Sequence, residues 1–388
     1  MTRRIPILAA LMAATALPAA AFEDGALLIW VGANRSEAAL AEIGARFEAD
    51  LGIPVTVEVV DPDLPEKFQR AAAAGDGPDI VMWAHDRFGE WASGGLIAPV
   101  NPSADWAGGV LPTAMDAVTF DGSVWGYPVA AEAVHLIYNK ALVETPPATF
   151  EEVMALETPD GVAPIMWDYN NTYFTMPLLM ANGGFAFQKV DGSYDGAATG
   201  VNNEGAVAGA AVLDKLVEDG VMPPGVDYGV MDAAMNKGEV AMVLNGPWAW
   251  GPLRESGIDF GVAPIPSVDG AEAPPFLGVI AMAVNAASPN KDLAAEFVEN
   301  YLLTDEGLAE WNATGALGAL TDTSAAEAQD DPNVSGMLEV AASAVPMPSN
   351  PEMGSFWSAM APALTAITNQ QQEPQAALDD AARRILGE

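Results

Sequence analysis

The sequence contains no cysteine among its 388 residues and only two histidines, His85 and His135. Without cysteine the chain has no structural disulfide, thiol catalyst, thiolate metal site or lipid anchor on an N-terminal cysteine. It also has no HExxH motif, paired-histidine site, catalytic triad pattern or phosphate-binding glycine loop. His85 is expected to shape a turn at the end of a strand, and His135, in an apolar run, is expected to be structural. The sequence therefore predicts neither a metal site nor a cofactor site.

Positive charge is also scarce, because 15 lysines and arginines stand against 53 aspartates and glutamates, giving a formal net charge of −38. A chain this acidic repels phosphate backbones and anionic lipid, so nucleic acid is not expected as a partner. The acidic residues are dispersed rather than gathered in one run, which is typical of a solvated surface.

The N-terminus has the pattern of a secretory signal. Arg3 and Arg4 give a positive start, residues 5–17 form an apolar stretch too short to span a bilayer, and residues 19–21 supply an A-x-A cleavage site. The predicted signal peptide is 1–21, and the mature chain is expected to begin at Phe22. No later segment has the length and apolarity of a transmembrane helix.

The start of the mature chain has a β-α-β-α-β pattern. Its strands are short apolar runs at Leu27–Val31, 55–60 and 79–83. Ser36 is placed to cap the first helix, and residues 66–74 are expected to form the second. Continuous rather than alternating apolar strands indicate a sheet covered on both faces, hence a parallel α/β sheet. The length of the mature chain predicts two domains.

Later helices carry recognisable start signals. Thr149 followed by Glu152 is a capping box, and Ser288 before Pro289 predicts an N-cap with proline in the first helical position. Residues 376–386 have the pattern of a closing amphipathic helix.

Residues 75–88 combine a turn, a short apolar strand and a strand end that carries aromatic and charged side chains. Gly-Asp-Gly-Pro at residues 75–78 is strong turn chemistry, and the strand that follows leads to Trp83, Asp86 and Arg87. Ligands of open α/β sheets bind just beyond the carboxyl ends of strands, so these three side chains are candidate ligand contacts. The chain has ten tryptophans. Aromatic plates beside polar groups suit sugars, whose C–H faces stack on rings and whose hydroxyls need hydrogen bonds.

Three segments, 75–88, 245–250 and 300–307, resemble periplasmic maltose/maltodextrin-binding proteins in order and spacing. The resemblance extends from about residue 25 to the C-terminus. It implies an α/β, two-lobed periplasmic-binding-protein fold of type II with discontinuous lobes. The implied N-terminal lobe is 22–130 plus 281–328 and the C-terminal lobe 135–277 plus 333–388, with three hinge crossovers near 131–134, 277–280 and 329–333.

The resemblance also implies a set of ligand-binding residues. The aromatic stacking positions are Trp83, Tyr173, Trp248 and Trp357. The hydroxyl-binding and groove positions are Asp86, Arg87, Glu132, Arg35, Asn34, Glu66 and Tyr228, with Met347 as an apolar wall. Arg35 stands where the family usually has lysine. The departures that remove or change a charge are Asn34, Asn171, Pro65, Asp63 and Ala361.

Several of these positions have a plain structural alternative. One of Trp248 and Trp250 is expected to pack inward, and Trp248 is the preferred exposed plate. Phe356 and Trp357 pose the same question. Asp86 and Arg87 could pair with each other, although an exposed pair adds little stability.

The expected function is a non-enzymatic solute-binding protein of an ABC importer that closes on maltose or a maltodextrin. Trehalose, sucrose and other α-glucosides remain open as ligands. The alternatives are a secreted carbohydrate-active enzyme using Asp86 and Glu132, and a binding protein for a peptide or polyamine. The partners implied are membrane permease subunits, with a chemoreceptor resting on family analogy alone. Because an exported, unanchored binding protein needs an outer membrane to retain it, the periplasm is the expected compartment, and a monomer the expected state.

Overall fold

The computed structural model describes residues 22–190 and 193–388, so the predicted signal peptide lies outside the described residues. The strands are β1 Leu27–Val31, β2 Val55–Val59, β3 Ile80–Ala84, β4 Ile97–Ala98, β5 Thr119–Phe120, β6 Ser123–Val124, β7 Tyr127–Ala133, β8 His135–Asn139, β9 Ala163–Met166, β10 Gln188–Val190, β11 Ser193–Asp195, β12 Val240–Asn245, β13 Phe260–Ala263, β14 Phe276–Asn285, β15 Ala319–Leu320 and β16 Val345–Pro346.

Helices are interspersed with these strands along the chain. They are α1 Glu37–Leu51, α2 Leu64–Ala73, α3 Phe88–Ser93, α4 Ala104–Gly109, α5 Pro112–Ala117, α6 Phe150–Met154, α7 Thr172–Met180, α8 Glu204–Glu218, α9 Tyr228–Lys237, α10 Trp250–Glu255, α11 Lys291–Phe297, α12 Asp305–Trp311, α13 Thr323–Ala328, α14 Pro332–Ala341, α15 Met353–Thr368 and α16 Pro374–Ile385. Short 3₁₀ turns at His85–Arg87 and Pro247–Ala249 follow β3 and β12, and a π-helical turn, Val298–Leu302, continues α11. Within the two described ranges, no helix is both long enough and apolar enough to cross a bilayer.

The larger sheet has the strand order β15-β7-β14-β3-β1-β2, with β4 and β16 also paired to β14. The first three strands of the chain are parallel, as predicted. However, β14 runs antiparallel to β3 and β7, and β15 runs antiparallel to β7. The prediction of a purely parallel sheet is therefore wrong for the sheet as a whole, because strands from later in the chain are inserted into it.

Both faces of the larger sheet are covered. Ile80 and Met82 pack into one hydrophobic cluster, whereas Val81, between them, packs into another on the opposite face. The apolar face of α1, with Leu40, Ile43 and Phe47 fully buried, covers the first of these clusters. This two-sided burial explains why the strands read as continuous apolar runs.

A second sheet, of order β13-β8-β12-β9, has its own core. β7 ends at Ala133 in the larger sheet and β8 begins at His135 in the smaller one, so the chain passes between sheets there. It returns between β13 and β14. The C-terminal helices α15 and α16 pack on α8 beside the smaller sheet. The chain therefore has a mixed α/β architecture built on two main sheets, which agrees with the predicted α/β class.

The helix start signals have mixed outcomes. The Thr149 hydroxyl accepts a hydrogen bond from the Glu152 amide at 3.1 Å, as a capping box requires. The Ser288 prediction is wrong, because α11 begins at Lys291. The Ser288 hydroxyl instead donates to the buried Asp79 carboxylate at 2.5 Å. Ser36 adopts a left-handed conformation and does not cap α1 with its side chain.

Candidate functional site

The end of β3 carries Trp83, and the 3₁₀ turn after it carries Asp86 and Arg87. Trp83 is half-buried and Asp86 is 4% exposed. The Asp86 carboxylate accepts a hydrogen bond of 2.8 Å from the indole Nε1 of Trp357 on α15. Because Asp86 follows the larger sheet and Trp357 packs against the core of the smaller sheet, this bond joins the two parts of the molecule.

The orientation of Trp357 answers one question left by the sequence. Phe356 is fully buried, and Trp357 is half-buried with its ring 4.8 Å from that of Phe356 in an edge-on arrangement. The ring of Phe356 therefore packs against that of Trp357, and the indole N–H of Trp357 points to Asp86.

Burial dominates the electrostatics of Asp86. Desolvation raises the pKa of its carboxyl to about 6, and the nearby Arg87 charge and the Trp357 hydrogen bond offset this only in part. The group is charged at neutral pH but gains a proton in mildly acidic solution.

Arg87 is only 9% exposed and is held by carboxylates on two helices. Its guanidinium lies 2.7 Å from Glu66 on α2 and 3.2 Å from Glu90 on α3, whereas its Nε is 3.9 Å from Asp86. Asp86 and Arg87 thus do lie within ion-pairing distance of each other, but not as an exposed pair. Both members are buried, and the main partners of Arg87 are the two glutamates.

Arg35 and Glu132 form a two-pronged ion pair, with N–O distances of 2.7 and 3.2 Å. Glu132, on β7, is 4% exposed. The guanidinium carbon of Arg35 also lies 5.3 Å from the ring centroid of Trp248, which follows β12 of the smaller sheet. Planar guanidinium groups suit both contacts at once. Arg35 thus connects a strand of the larger sheet to an aromatic ring beside the smaller one.

Trp248 is the half-buried member of its pair, and Trp250 is fully buried, as the sequence predicts. Trp250 donates from Nε1 to Nε2 of His135 at 3.3 Å, and the Nδ1–H of His135 donates to the Ala133 carbonyl at 2.8 Å. His135 is therefore structural. A Cβ on Gly246 would lie 2.2 Å from the Trp248 ring, so only glycine leaves room for that ring.

Tyrosine side chains complete the aromatic surface. The ring of Tyr173 on α7 lies 6.4 Å from that of Trp248, and Phe174 lies 6.2 Å from both Trp248 and Tyr228. Burial raises the pKa of Tyr228 to about 12 and that of Tyr173 well above its usual value. The buried Tyr173 hydroxyl has no hydrogen-bond partner among the described residues.

Gly278 on β14 marks where several predicted residues meet. A Cβ at this position would lie 3.6 Å from the Tyr173 hydroxyl, the Met347 methyl and the Glu132 carbonyl. Met347 is buried and forms an apolar surface beside these polar groups. Tyr173, Met347 and Glu132, from three distant segments, are thus brought together at β14.

The charge-changing departures have local explanations in two cases. The Asn171 side chain caps α7 by accepting a hydrogen bond from the Tyr173 amide at 3.1 Å, which a carboxylate could also do. Asn34, with a φ of 60°, is in the left-handed region that asparagine tolerates, next to Arg35. Pro65 is buried at the start of α2, Asp63 is exposed before it, and Ala361 is half-buried on α15.

Two contributors were missed from the sequence. Glu90 follows Arg87 by three residues, and this helical spacing could have suggested the pair. Gly278 carries no local signal, since its role depends on residues brought to it from three other segments.

The two carboxylates required by the enzyme alternative are both engaged. Glu132 is bonded to Arg35, and Asp86 accepts from Trp357. A glycosidase needs two carboxyl groups that flank the scissile bond and reach it, whereas the Glu132 carboxylate is occupied on both oxygens by Arg35. The arrangement favours holding hydroxyls over breaking a glycosidic bond.

Comparison with known proteins agrees with this geometry. Residues 42–336 match the family described as bacterial extracellular solute-binding protein, and the chain belongs to that family. It is 30% identical over 360 residues to a maltotriose-binding protein of Pyrococcus abyssi, covering 89% of this chain and 78% of that protein.

Two further relatives cover most of both chains. A galactooligosaccharide-binding protein of Bacillus subtilis is 28% identical over 377 residues, covering 93% of this chain and 89% of that protein. A maltooligosaccharide ABC transporter solute-binding lipoprotein of Streptococcus pneumoniae is 25% identical over 363 residues, covering 89% and 85%. The two-lobed type II fold expected for this family is thereby confirmed.

Proposed function

We propose that this protein binds a malto-oligosaccharide between two lobes and delivers it to the membrane permease of an ABC importer. The observation that carries the proposal is a set of four half-buried aromatic rings near buried charged groups that lie on or just after strands of the larger sheet, with Trp248 against Arg35 and Trp357 bonded to Asp86. The rings are Trp83, Tyr173, Trp248 and Trp357. Rings stack on sugar faces, and charged groups make the stronger hydrogen bonds to hydroxyls. The printed names of the relatives, two of which bind maltose-type oligosaccharides, support the same class of ligand.

The lobes are proposed to be 22–130 plus 281–328 and 135–277 plus 333–388. Support comes from the two sheets with separate cores and from the passage between them at Ala133 and His135. Crossovers near 131–134, 277–280 and 329–333 would then act as the hinge.

Closure of the lobes is proposed to be driven by sugar contacts to both sides. Trp83, Asp86 and Arg87 would contribute from the first lobe, and Tyr173, Trp248 and Trp357 from the second. A ligand that shifts a 1:99 equilibrium to 99:1 must favour the closed form by about 5.5 kcal/mol. The Trp357–Asp86 bond joins the two sides without sugar, so it contributes to the population of the closed form before the ligand binds.

A galactose-based oligosaccharide is the second candidate ligand. The Bacillus subtilis relative with that named ligand is about as similar to this chain as the maltotriose-binding one. Asn34 and Asn171, which replace carboxylates of the maltodextrin pattern, leave room for altered hydroxyl recognition.

The periplasm is the proposed compartment, and permease subunits are the proposed partners. The secretory pattern at residues 1–21 and the family match support export. The name of the streptococcal relative, which includes an ABC transporter, supports the permease.

Tryptophan fluorescence of the mature protein tests the proposal directly. The protein is titrated with maltose, maltotriose, a galacto-oligosaccharide, trehalose and sucrose, with unfolding followed in parallel to show that it is folded. Saturation by maltose or maltotriose at micromolar levels is the expected result. A fluorescence change with the galacto-oligosaccharide alone would favour the second candidate. If the folded protein shows no fluorescence change with any of the five sugars, the proposal is overturned.

A further inference from the structure

We infer that His85 is a positioning residue that ties the hinge strand and the second lobe to the turn bearing Asp86 and Arg87. The inference rests on the proposed function, and it assigns His85 more than the shaping of a strand-end turn. His85 is 3% exposed and directly precedes Asp86 in the 3₁₀ turn.

Both ring nitrogens of His85 are used, and their partners fix its tautomer. Nδ1 accepts from the Val279 amide at 3.0 Å, because a backbone N–H can only donate. Nε2 lies 2.9 Å from the Met347 carbonyl, which can only accept, so Nε2 carries the proton. Burial lowers the pKa of His85 to about 4, which keeps this neutral form at neutral pH.

The two partners lie in the proposed hinge and in the proposed second lobe. Val279 lies on β14, within the proposed crossover at 277–280, and Met347 lies just after β16. The Met347 amide also donates to the Leu277 carbonyl at 3.1 Å. The backbone of Met347 is therefore held on one side by β14 and on the other by the His85 ring.

This arrangement sets the positions of two predicted sugar contacts, Met347 and Asp86. The Met347 methyl faces Gly278 beside the Tyr173 hydroxyl, and Asp86 is adjacent to His85 in the chain. A Cβ on Gly89 would lie 1.9 Å from the Ser349 carbonyl, so the backbones of the two segments are in direct contact beyond the histidine. The segment at 347–349 then leads into α15, which carries Trp357. His85 thus helps fix the separation of Asp86 and Trp357.

A histidine that only filled space would need no polar atoms here. Burying two ring nitrogens is unfavourable unless both find partners, and an apolar ring of similar size would fill the same volume. The two hydrogen bonds instead connect His85 to residues 194 and 262 positions away. Three segments of the chain are thereby held in one register.

The test compares His85→Phe, His85→Gln and His85→Asn with a matched control, His135→Phe. His135 is equally buried, but its bonds go to Ala133 and Trp250, not to the Asp86 turn. Maltotriose affinity, maltotriose dissociation rate, unfolding midpoint and the small-angle scattering profile with and without sugar are measured on the mature protein.

His85→Phe is expected to weaken maltotriose binding about thirtyfold, with most of the change in the dissociation rate, since two hydrogen bonds are lost. His85→Gln and His85→Asn each retain one polar partner and should recover about fivefold of that loss. His135→Phe should lower the unfolding midpoint while leaving affinity near that of the wild type. The milder His85→Gln variant carries the test if His85→Phe does not fold.

Wild-type affinity and dissociation rate in folded His85→Phe would overturn the inference, as would equal effects of His85→Phe and His135→Phe on affinity. If the wild type binds none of the sugars, the proposed function fails instead. The inference is then decided by scattering without sugar. His85→Phe should change the distribution of interlobe distances relative to both wild type and His135→Phe, and an unchanged distribution would contradict it.

Discussion

The indole nitrogen of Trp357 donates a 2.8 Å hydrogen bond to the carboxylate of Asp86, although the two residues are 271 positions apart in the chain. Because Asp86 is buried, its carboxylate is poorly solvated, and this hydrogen bond offsets part of the free-energy cost of desolvation. The same two side chains are proposed to stack on the sugar and to hold its hydroxyls. On this proposal, ligand binding and closure are coupled through one contact.

Replacing Trp357 with phenylalanine separates stacking from hydrogen bonding. The ring remains, but Asp86 loses its indole donor, and maltotriose binding should weaken by about 2 kcal/mol, which is roughly thirtyfold. Calorimetric titration measures the change. Trp125→Phe is the control, because it removes an indole bond of the same length, to the Phe120 carbonyl, on the larger-sheet side. Equal affinity in the two variants would show that the Asp86 bond has no part in binding.

The pH dependence of the free energy of unfolding should report on Asp86. Its folded-state pKa of about 6 lies above the usual 3.8, so the folded protein holds this proton more tightly than the unfolded chain. The contribution of Asp86 to stability is therefore greatest in acid and is lost as the pH rises from about 4 to about 6. Asp86→Asn should accordingly stabilise the sugar-free protein at neutral pH, as measured by urea unfolding.

Sugar affinity should show the opposite trend with pH. A carboxylate accepts hydroxyl hydrogen bonds more strongly than a carboxylic acid, so wild-type affinity should fall as the pH is lowered through 6. Asp86→Asn should bind more weakly and show no such fall. A fall of the same size in both proteins would assign the titration to another group.

Glu132→Gln leaves the Arg35 guanidinium without its charged partner at a largely buried position. Breaking a buried pair by removing one member costs about 3 kcal/mol of unfolding free energy. Asp259→Asn is the comparison, since Lys140 and Asp259 are exposed and such pairs contribute less than about 1 kcal/mol. Urea unfolding of both variants, with Arg35→Met to complete a double-mutant cycle, measures the coupling. A loss no larger than that of Asp259→Asn would mean that the Arg35–Glu132 pair is no stronger than a surface pair.

Tyr173→Phe should change stability and binding in opposite directions. The Tyr173 hydroxyl is buried without a partner among the described residues, so its removal should stabilise the sugar-free protein by about 1 kcal/mol. If that hydroxyl serves the sugar, maltotriose affinity should fall about tenfold at the same time.

Tyr169→Phe provides the contrast. The Tyr169 hydroxyl accepts hydrogen bonds from the amides of Gly225 and Val226, at 2.5 and 3.2 Å. Its removal should lower stability and leave affinity unchanged. Thermal unfolding and fluorescence titration of the two variants distinguish a binding hydroxyl from a structural one, and unchanged affinity in Tyr173→Phe would exclude its hydroxyl from the site.

The parts of the fold that depend on local pattern could be predicted from the sequence. The β1-α1-β2 start follows from apolar periodicity, and the choice of Trp248 over Trp250 follows from turn residues around them. The capping prediction for Ser288 is wrong because its hydroxyl has a stronger partner, Asp79, that is 209 positions away. A capping rule considers only neighbours in sequence, so it cannot detect such competition.

The site required tertiary information for a similar reason. Arg35 and Glu132 are 97 positions apart, and no local sequence pattern in either segment predicts that they form an ion pair. The family resemblance supplied the residues but not their mutual contacts. Other contacts depend on the position of β14 between β3 and β7. They include the bonds of His85 to Val279 and Met347 and the close approach of Tyr173 and Met347 at Gly278.

The position of β14 in the larger sheet has a consequence for the order of folding. The strands of the smaller sheet all lie between residues 135 and 263, so they can pair before the rest of the chain is made. The larger sheet cannot close until Phe276–Asn285 has been synthesised and has entered between strands formed much earlier. Such long-range closure slows folding and leaves β3 and β7 with unpaired edges in the meantime. Because Gly278 lies on β14, the groups that meet around it come together only after this closure, so the candidate site is the last part to form.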